Sequence, residues 1–457
     1  MTPATIAPRR PPRSWRRLRY GVLVTLVVAS ACMVVPSGAA DAASSNACPD
    51  PSGTVKVGVS YLGSTAASVA QKTGQEVEQS PSDRAAEQAI KDGAAALNDA
   101  GGIAGCTVEP VIFNFSVLSS DYNGLSQQEC VTFTQDNHVI AVYAAGYETK
   151  LAADCYAKAK IPSFWIQGLS LYQPSCETST GSDEYVVAGV LTCRAGSFIK
   201  MWDDAGLFPK DAKVGVLEFN SVDGKAQNKT LIDKLWAPQL KKMGIPLQKF
   251  TVSRTLSSAG YADVSTQIGQ AVLQFKAAGV NVVLFTPPGA TMVTTFLPAA
   301  LAQDYFPNYG LTTTDGPRGV ALAPDAVKKG VAISWQIIDL PLDAELKLPA
   351  NKAIQGCAPW SLATSDTPTG PLTGATNVCD FYNILAAGFD GAKKLDAPTL
   401  RKNVAGLGTS FDSAMTYDGA TKFSATRLDG ASMASILVWD PTTKTFVAQS
   451  KKLVPIP

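Results

Sequence analysis

Short β-branched runs alternate with helix-period runs along most of this chain, and few folds accept that order. Val55-Lys56-Val57-Gly58-Val59-Ser60-Tyr61 has the character of a buried strand, and Ala85 to Asn98 places Ala86, Ile90, Ala94 and Leu97 at helical spacing. Gly101-Gly102 stops that helix. Strand Val108 to Phe113, helix Ser126 to Gln135, strand Val139 to Tyr143, helix Lys150 to Ala159 and strand Pro162 to Gln167 follow. This rhythm specifies a parallel sheet wrapped by helices.

The alternation restarts after a helix at Gly189 to Ala205. Strands Lys213 to Phe219, Leu247 to Val252, Val280 to Thr286 and Tyr309 to Thr313 interleave with helices Lys225 to Met243, Tyr261 to Ala278 and Thr291 to Gln303. A strand at Gly330 to Trp335, a helix at Phe381 to Leu395, and a hairpin of Ser435 to Trp439 with Thr445 to Gln449 close the chain. The fold class is α/β, with two lobes of similar size. Asn351 to Thr376, rich in Pro, Gly, Ser and Thr, reads as a loop stapled by the cysteines around it.

Residues 1–42 read as a signal peptide. Six arginines between Arg9 and Arg19 precede an apolar run from Tyr20 to Val35, and small residues follow. The run is shorter than the ~20 residues a spanning helix needs. Cys32 offers a lipoprotein alternative, but Ala29-Ser30-Ala31 before it lacks the large aliphatic residue of a lipidation box. Export is therefore expected, to the outside or the cell envelope. Removing six arginines and Asp41 turns the formal charge of +1 to −4, which argues against nucleic acid or anionic membrane as a partner. The mature chain exceeds what one core usually holds, in line with two domains.

Eight of the nine cysteines lie beyond the presequence, and an even number in an oxidising compartment favours disulfides. Eight cysteines allow 105 pairings. A sequential set is expected: Cys48 with Cys106, Cys130 with Cys155, Cys176 with Cys193 and Cys357 with Cys379. Cys130 and Cys155 sit on consecutive helices, which right-handed crossovers tend to set side by side.

Val55 to Tyr61, a variable loop, and a helix ending Asn98-Asp99-Ala100-Gly101-Gly102-Ile103-Ala104-Gly105 before the next strand resemble the opening of the type 1 periplasmic binding proteins, particularly the branched-chain amino acid and amide group. Lys213-Val214-Gly215-Val216-Leu217 and the strand near Gly330 follow in the family's order. The resemblance implies two Rossmann-like lobes joined by a three-strand hinge, a Venus flytrap. Residues 48–186 with 316–405 would make lobe I, and 187–315 with 406–457 lobe II. It also implies a monomer that delivers its solute to an ABC transporter permease. The family's Gly-Pro-hydroxyl element after the first strand is absent, and the loop Ala66 to Ser82 is long, so the ligand stays open.

The chemistry reads as binding, and no cofactor or metal is expected. His138 is the only histidine, no Gly-x-Ser-x-Gly or His-Glu-x-x-His occurs, and the cysteines form no close Cys-x-x-Cys pair. A carboxylate-pair hydrolase, whose distant acids would meet only in three dimensions, is the weaker alternative, and a sensor of the same fold feeding a signalling partner is another.

In open parallel sheets ligands sit at the carboxyl ends of strands, and the candidate residues come from those loops. Tyr61 offers a ring and Ser64 a hydroxyl, with loop capping as the plainer role of the hydroxyl. Gly146, Tyr147, Glu148 and Thr149 follow the third strand, where Glu148 can meet an ammonium or simply favour a helix N-terminus. Gln167 brings an amide that donates and accepts. The second lobe supplies Asn220, Asp223, Thr286 and Asp315. Trp335, also near a strand end, reads better as core or hinge.

Overall fold

β1 (Thr54–Gly63) buries every side chain from Val57 to Tyr61, the pattern of a strand covered on both faces in a parallel sheet. The computed structural model describes residues 48, 52–63, 81–116, 121–144, 150–165, 184–186, 192–220, 229–253, 258–287, 289–340, 357 and 372–457, all within one unit, Ser45–Pro457. α1 (Pro81–Asp99) follows, and its end explains the glycine motif. Gly101 and Gly102 take φ of 106° and 71°, and the Gly102 amide closes on the Leu97 carbonyl at 2.8 Å. A Cβ on Gly102 would collide with the Cys106 carbonyl. The Asn98 side chain then pairs with the backbone of Val108 through two hydrogen bonds, of 2.7 and 3.0 Å, and so seats β2 (Thr107–Ser116).

α2 (Tyr122–Val131), β3 (Val142–Ala144), α3 (Lys150–Ala159), β4 (Ser163–Trp165) and β5 (Glu184–Val186) complete a parallel sheet of order β2-β1-β3-β4-β5. Short helices α4 (Thr192–Ala195) and α5 (Phe198–Asp204) lead to β6 (Val214–Phe219). A π-helical stretch, Leu231–Trp236, runs into α6 (Ala237–Lys242) before β7 (Leu247–Val252). Next come α7 (Ser258–Ala277), β8 (Val282–Phe285), α8 (Ala290–Ala302), β9 (Asn308–Thr312) and β10 (Lys329–Ser334). The second sheet runs β7-β6-β8-β9-β10, repeating the strand order of the first, and then adds β11 (Met433–Asp440) and β12 (Thr445–Ala448) antiparallel, with β13 (Val454–Pro455) on β11.

Several elements depart from the sequence reading. The sequence rhythm assigns no element to β5 or to α10 (Ala397–Leu407). α9 (Leu372–Gly388) starts nine residues before the expected Phe381, because Thr376, Asn377 and Val378 are buried against the first core and packing overrides their weak helix propensity. β10 lies in the stretch assigned to lobe I from residue 316, yet it pairs with β9 in the second sheet, and Val320, Ala326 and Val327 pack in the second core. Conversely Phe411, Ala414, Phe423 and Leu428, from the stretch assigned to lobe II, pack in the first core with α9 and α10.

Disulfides join Cys48 to Cys106, Cys130 to Cys155 and Cys357 to Cys379. Cys176 lies outside the described residues. No described helix is long and apolar enough to cross a membrane.

The chain leaves the second core at Leu340 and is in the first by Cys357. It reaches the second core between Ala414, in the first, and Tyr417, in the second, and touches the first core again at Phe423 and Leu428. Where it passes from Ala414 to Tyr417, Gln336 bridges Thr416, and the Ile337 amide donates to the Met415 carbonyl at 3.1 Å. Arg194, on the far side of the passage that starts at β5, pairs at 2.7 Å with fully buried Asp429.

Phe296 anchors the second core, with its ring centroid 5.6 to 6.4 Å from those of Phe275, Phe285, Tyr305 and Tyr309. Phe296→Ala is expected to cost about 3–5 kcal/mol, read as a lower urea midpoint for the unfolding of that lobe.

Candidate functional site

Both sheets have the doubly wound order 2-1-3-4-5, so each has a switch point where its first and third strands meet and the helices diverge to opposite faces. In the first sheet that point lies beyond β1 and β3, and in the second beyond β6 and β8. β5 is the last strand of the first sheet and β10 the last parallel strand of the second, and beyond β10 the chain leaves the second core at Leu340.

Of the expected contact residues, Ser64, Gly146, Tyr147, Glu148, Thr149, Gln167 and Asp223 lie outside the described residues. Tyr61 is described, and its ring turns inward. It is 7% exposed, its hydroxyl donates to Glu87 Oε1 at 3.0 Å, and it accepts from Asn114 Nδ2 at 2.9 Å. The next residue, Leu62, is 45% exposed and presents the apolar surface at the end of β1.

In the second sheet, Asn220 ends β6 half-buried, with its amide on the Val252 carbonyl at 2.9 Å. Thr286 follows β8, fully buried, and its amide reaches the Leu217 carbonyl at 3.1 Å while its Oγ1 has no partner among the described residues. Asp315 closes a single 3-10 turn after β9. Its Oδ2 accepts from the Thr312 amide at 2.7 Å and the Thr312 hydroxyl at 2.9 Å. Its Oδ1 has no hydrogen-bond partner among the described residues and lies against Gly289, where α8 begins, so that a Cβ on Gly289 would collide with it. The structure thus brings Thr286 and Asp315 to one edge, each with an unspent buried oxygen beside a helix N-terminus.

Burial pushes Asp315 up to about 8, against its hydrogen bonds from Thr312, and the nearby Asp339 adds to the rise. Three acids that sequence reasoning did not select behave alike. Asp339 is pushed up to about 7 by burial, although Thr313, Ser334 and Arg318 favour its charged form. The Thr313 hydroxyl donates to Asp339 Oδ2 at 2.5 Å. Asp380 on α9 rises to about 7 by burial, opposed by Ser413, Ala414 and Met415. Glu129 on α2 rises to about 7 by burial, opposed by Ser60 and Tyr156. The sequence carried no signal for these acids, because their partners come from distant segments or from tertiary burial.

His138 is exposed, with φ of 50° and Nδ1 3.0 Å from the Thr134 carbonyl, ahead of β3 and so at the edge opposite the carboxyl ends. Trp335 is a core side chain, stacked on Phe198 at 5.6 Å. Among the described residues, no group of three or more His, Cys, Asp or Glu could hold a metal ion.

No protein-family model matches the chain, and no curated protein matches it in sequence. Solved structures do. A fatty acid ABC transporter substrate-binding protein from Thermomonospora curvata is similar over 87% of this chain and 92% of its own, at 16% identity and a TM-score of 0.55. A branched-chain amino acid ABC transporter protein from Thermus thermophilus with bound valine matches over 88% and 95%, at 14% identity and a TM-score of 0.59. An ABC transporter solute-binding protein from R. palustris in complex with 4-hydroxybenzoate matches over 88% and 98%, at 14% identity and a TM-score of 0.58. The chain has the two-lobed fold of the type 1 periplasmic binding proteins.

The buried acids set a pH dependence. Each holds its proton in the folded state from its ordinary value, 3.8 for aspartate and 4.5 for glutamate, up to about 7 or 8, whereas the unfolded chain releases it early. Their contribution to stability is full below the ordinary values and is lost as pH rises through 7 to 8. Asp325 and Asp440, held low by Lys444 and Thr443 respectively, work in the opposite sense but below that window. The melting temperature is expected to fall between pH 5 and pH 8, and Asp315→Asn to reduce the slope.

Proposed function

We propose that the protein captures a small organic solute between its two lobes, without turning it over, and delivers it to an ABC transporter permease. The observation that carries this reading is the repeated 2-1-3-4-5 parallel sheet, in a chain that passes more than once between the two cores. Parallel sheets collect loop amides and helix N-termini at that edge, and two such edges around a flexible crossing make a clamp.

The described rims favour a molecule with a polar head and an apolar body. Thr286 and Asp315 supply unspent oxygens on one side, and Leu62 supplies exposed aliphatic surface on the other. Amino acids and amides fit this description, as do aromatic acids. Valine and 4-hydroxybenzoate, bound by two of the structural neighbours, belong to the same chemical range. In this reading Gly146, Tyr147, Glu148, Thr149 and Gln167 line the first rim with Ser64, while Asn220 and Asp223 extend the second. Residues 1–42 direct export, and the mature chain acts as a monomer.

The test is a thermal-shift screen of the mature protein against amino acids, amides and aromatic acids. A solute bound only by the folded protein stabilises it by about 2.7 kcal/mol at a hundredfold excess over Kd. One such class is expected to raise the melting temperature, with the rise lost in Tyr147→Ala and reduced in Thr286→Val. No rise with any class, or chemical conversion of the stabilising solute, would overturn the reading.

A further inference from the structure

Two consecutive residues of α9 reach both of the interlobe passages whose ends are described next to that helix. Cys379 is bonded to Cys357, the next described residue after Leu340 and already in the first core. Asp380, fully buried, holds the returning passage just before it crosses. Its Oδ1 accepts from the Ala414 amide at 2.7 Å, its Oδ2 is in close contact with the Ser413 hydroxyl, and that hydroxyl in turn accepts from the Met415 amide at 3.0 Å. Immediately beyond, Met415 and Thr416 pair with Gln336 and Ile337, and the Tyr417 hydroxyl meets Ser334 Oγ at 2.8 Å in the second core. The joint is therefore two paired crossing segments, fixed to lobe II through Ser334 and Tyr417 and to lobe I through Asp380.

From this geometry we infer that Asp380 is a positioning residue of the interlobe joint, the lobe I anchor that keeps the two crossing segments paired and so sets the range over which the lobes can open. The inference rests on the reading of the lobes as a capture device, but its test needs no solute.

The groups around Asp380 decide how it responds to protons. Ser413, Ala414 and Met415 hydrogen-bond the carboxyl, the Tyr143 hydroxyl of β3 interacts with it electrostatically, and Asp412 adds a like charge. No cation is among the groups acting on it. A neutral carboxyl satisfies the site: one oxygen accepts from Ala414 and the other donates to the Ser413 hydroxyl, which still accepts from Met415. Ionisation loads this enclosed site with an unpaired charge. The anchored joint therefore binds the proton more tightly than a loosened joint that admits water, and by linkage it is favoured below pH 7 and weakened above it. Asparagine has the shape and hydrogen-bonding groups of the neutral acid, so Asp380→Asn keeps the anchor at every pH. Asp380→Ala removes it.

The experiment is hydrogen exchange by mass spectrometry on the ligand-free protein between pH 6 and 9, corrected for intrinsic exchange. It follows the segment containing the Ile337 amide, which bonds to Met415 and not to Asp380. Exchange there is expected to quicken roughly tenfold in Asp380→Ala, while segments of α8 in the second core stay protected. Wild-type protection is expected to fall as pH rises through 7, and Asp380→Asn to remain protected with a flat profile. Unchanged exchange at Ile337 in Asp380→Ala overturns the inference, as does an asparagine variant that loses protection like alanine. Either result leaves solute binding untouched, whereas a negative solute screen with the expected exchange pattern would fault the capture reading alone.

Discussion

Parallel pairing is the constraint from which the rest of this molecule follows. β1 pairs parallel with both β2 and β3, and β6 pairs parallel with both β7 and β8, so each connection must travel back along the sheet as a crossover. The parallel strands β1 to β10 then end at the same edge of their sheet, and the crossover helices begin there. The functional loops are gathered at that edge before any particular ligand residue is specified. Leu62, Thr286 and Asp315 come from segments far apart in sequence and reach the two carboxyl edges for this single reason.

The crossing between lobes is built with more polar structure than a flexible tether needs. Asp339 in one crossing segment takes the Thr313 hydroxyl, Asp380 takes the other segment, and Asp429 ties Arg194 to Arg427 at the third. A buried carboxylate without a partner is costly, and each of these acids has hydroxyls, amides or guanidinium groups against it. Such networks fix geometry more firmly than apolar contacts, because a displaced partner leaves an unsatisfied group behind. This suits a joint that must move between few arrangements.

Much of the scaffold was legible because alternation and punctuation are local. β7 and α3 have the bounds that periodicity predicts, and Asn98 with Gly101-Gly102 marks a real helix stop whose side chain seats the next strand. Asp396-Ala397-Pro398 was a readable helix start, with Asp396 accepting from the Thr399 amide, although the sequence reading passed over it. The stretch around residue 316 is hard to read for a physical reason. Between β9 and β10 the chain makes 3-10 turns, Pro317–Leu322 and Pro324–Ala326, instead of a full helix, so the rhythm breaks and β10 looks like a strand returning to the first sheet. The acids at the joint were illegible because Asp380 and Ser413, or Thr313 and Asp339, are brought together only by tertiary packing.

If the two lobes close on a solute, solution scattering with and without a stabilising solute will register the change. Closure around a crossing held by Gln336 and Thr416 predicts a smaller radius of gyration and a shorter maximum dimension when the solute is present, reversed on its removal. A solute that raises the melting temperature while leaving the scattering profile unchanged would contradict the account, since it would place binding on a single lobe and leave the paired carboxyl edges without a role.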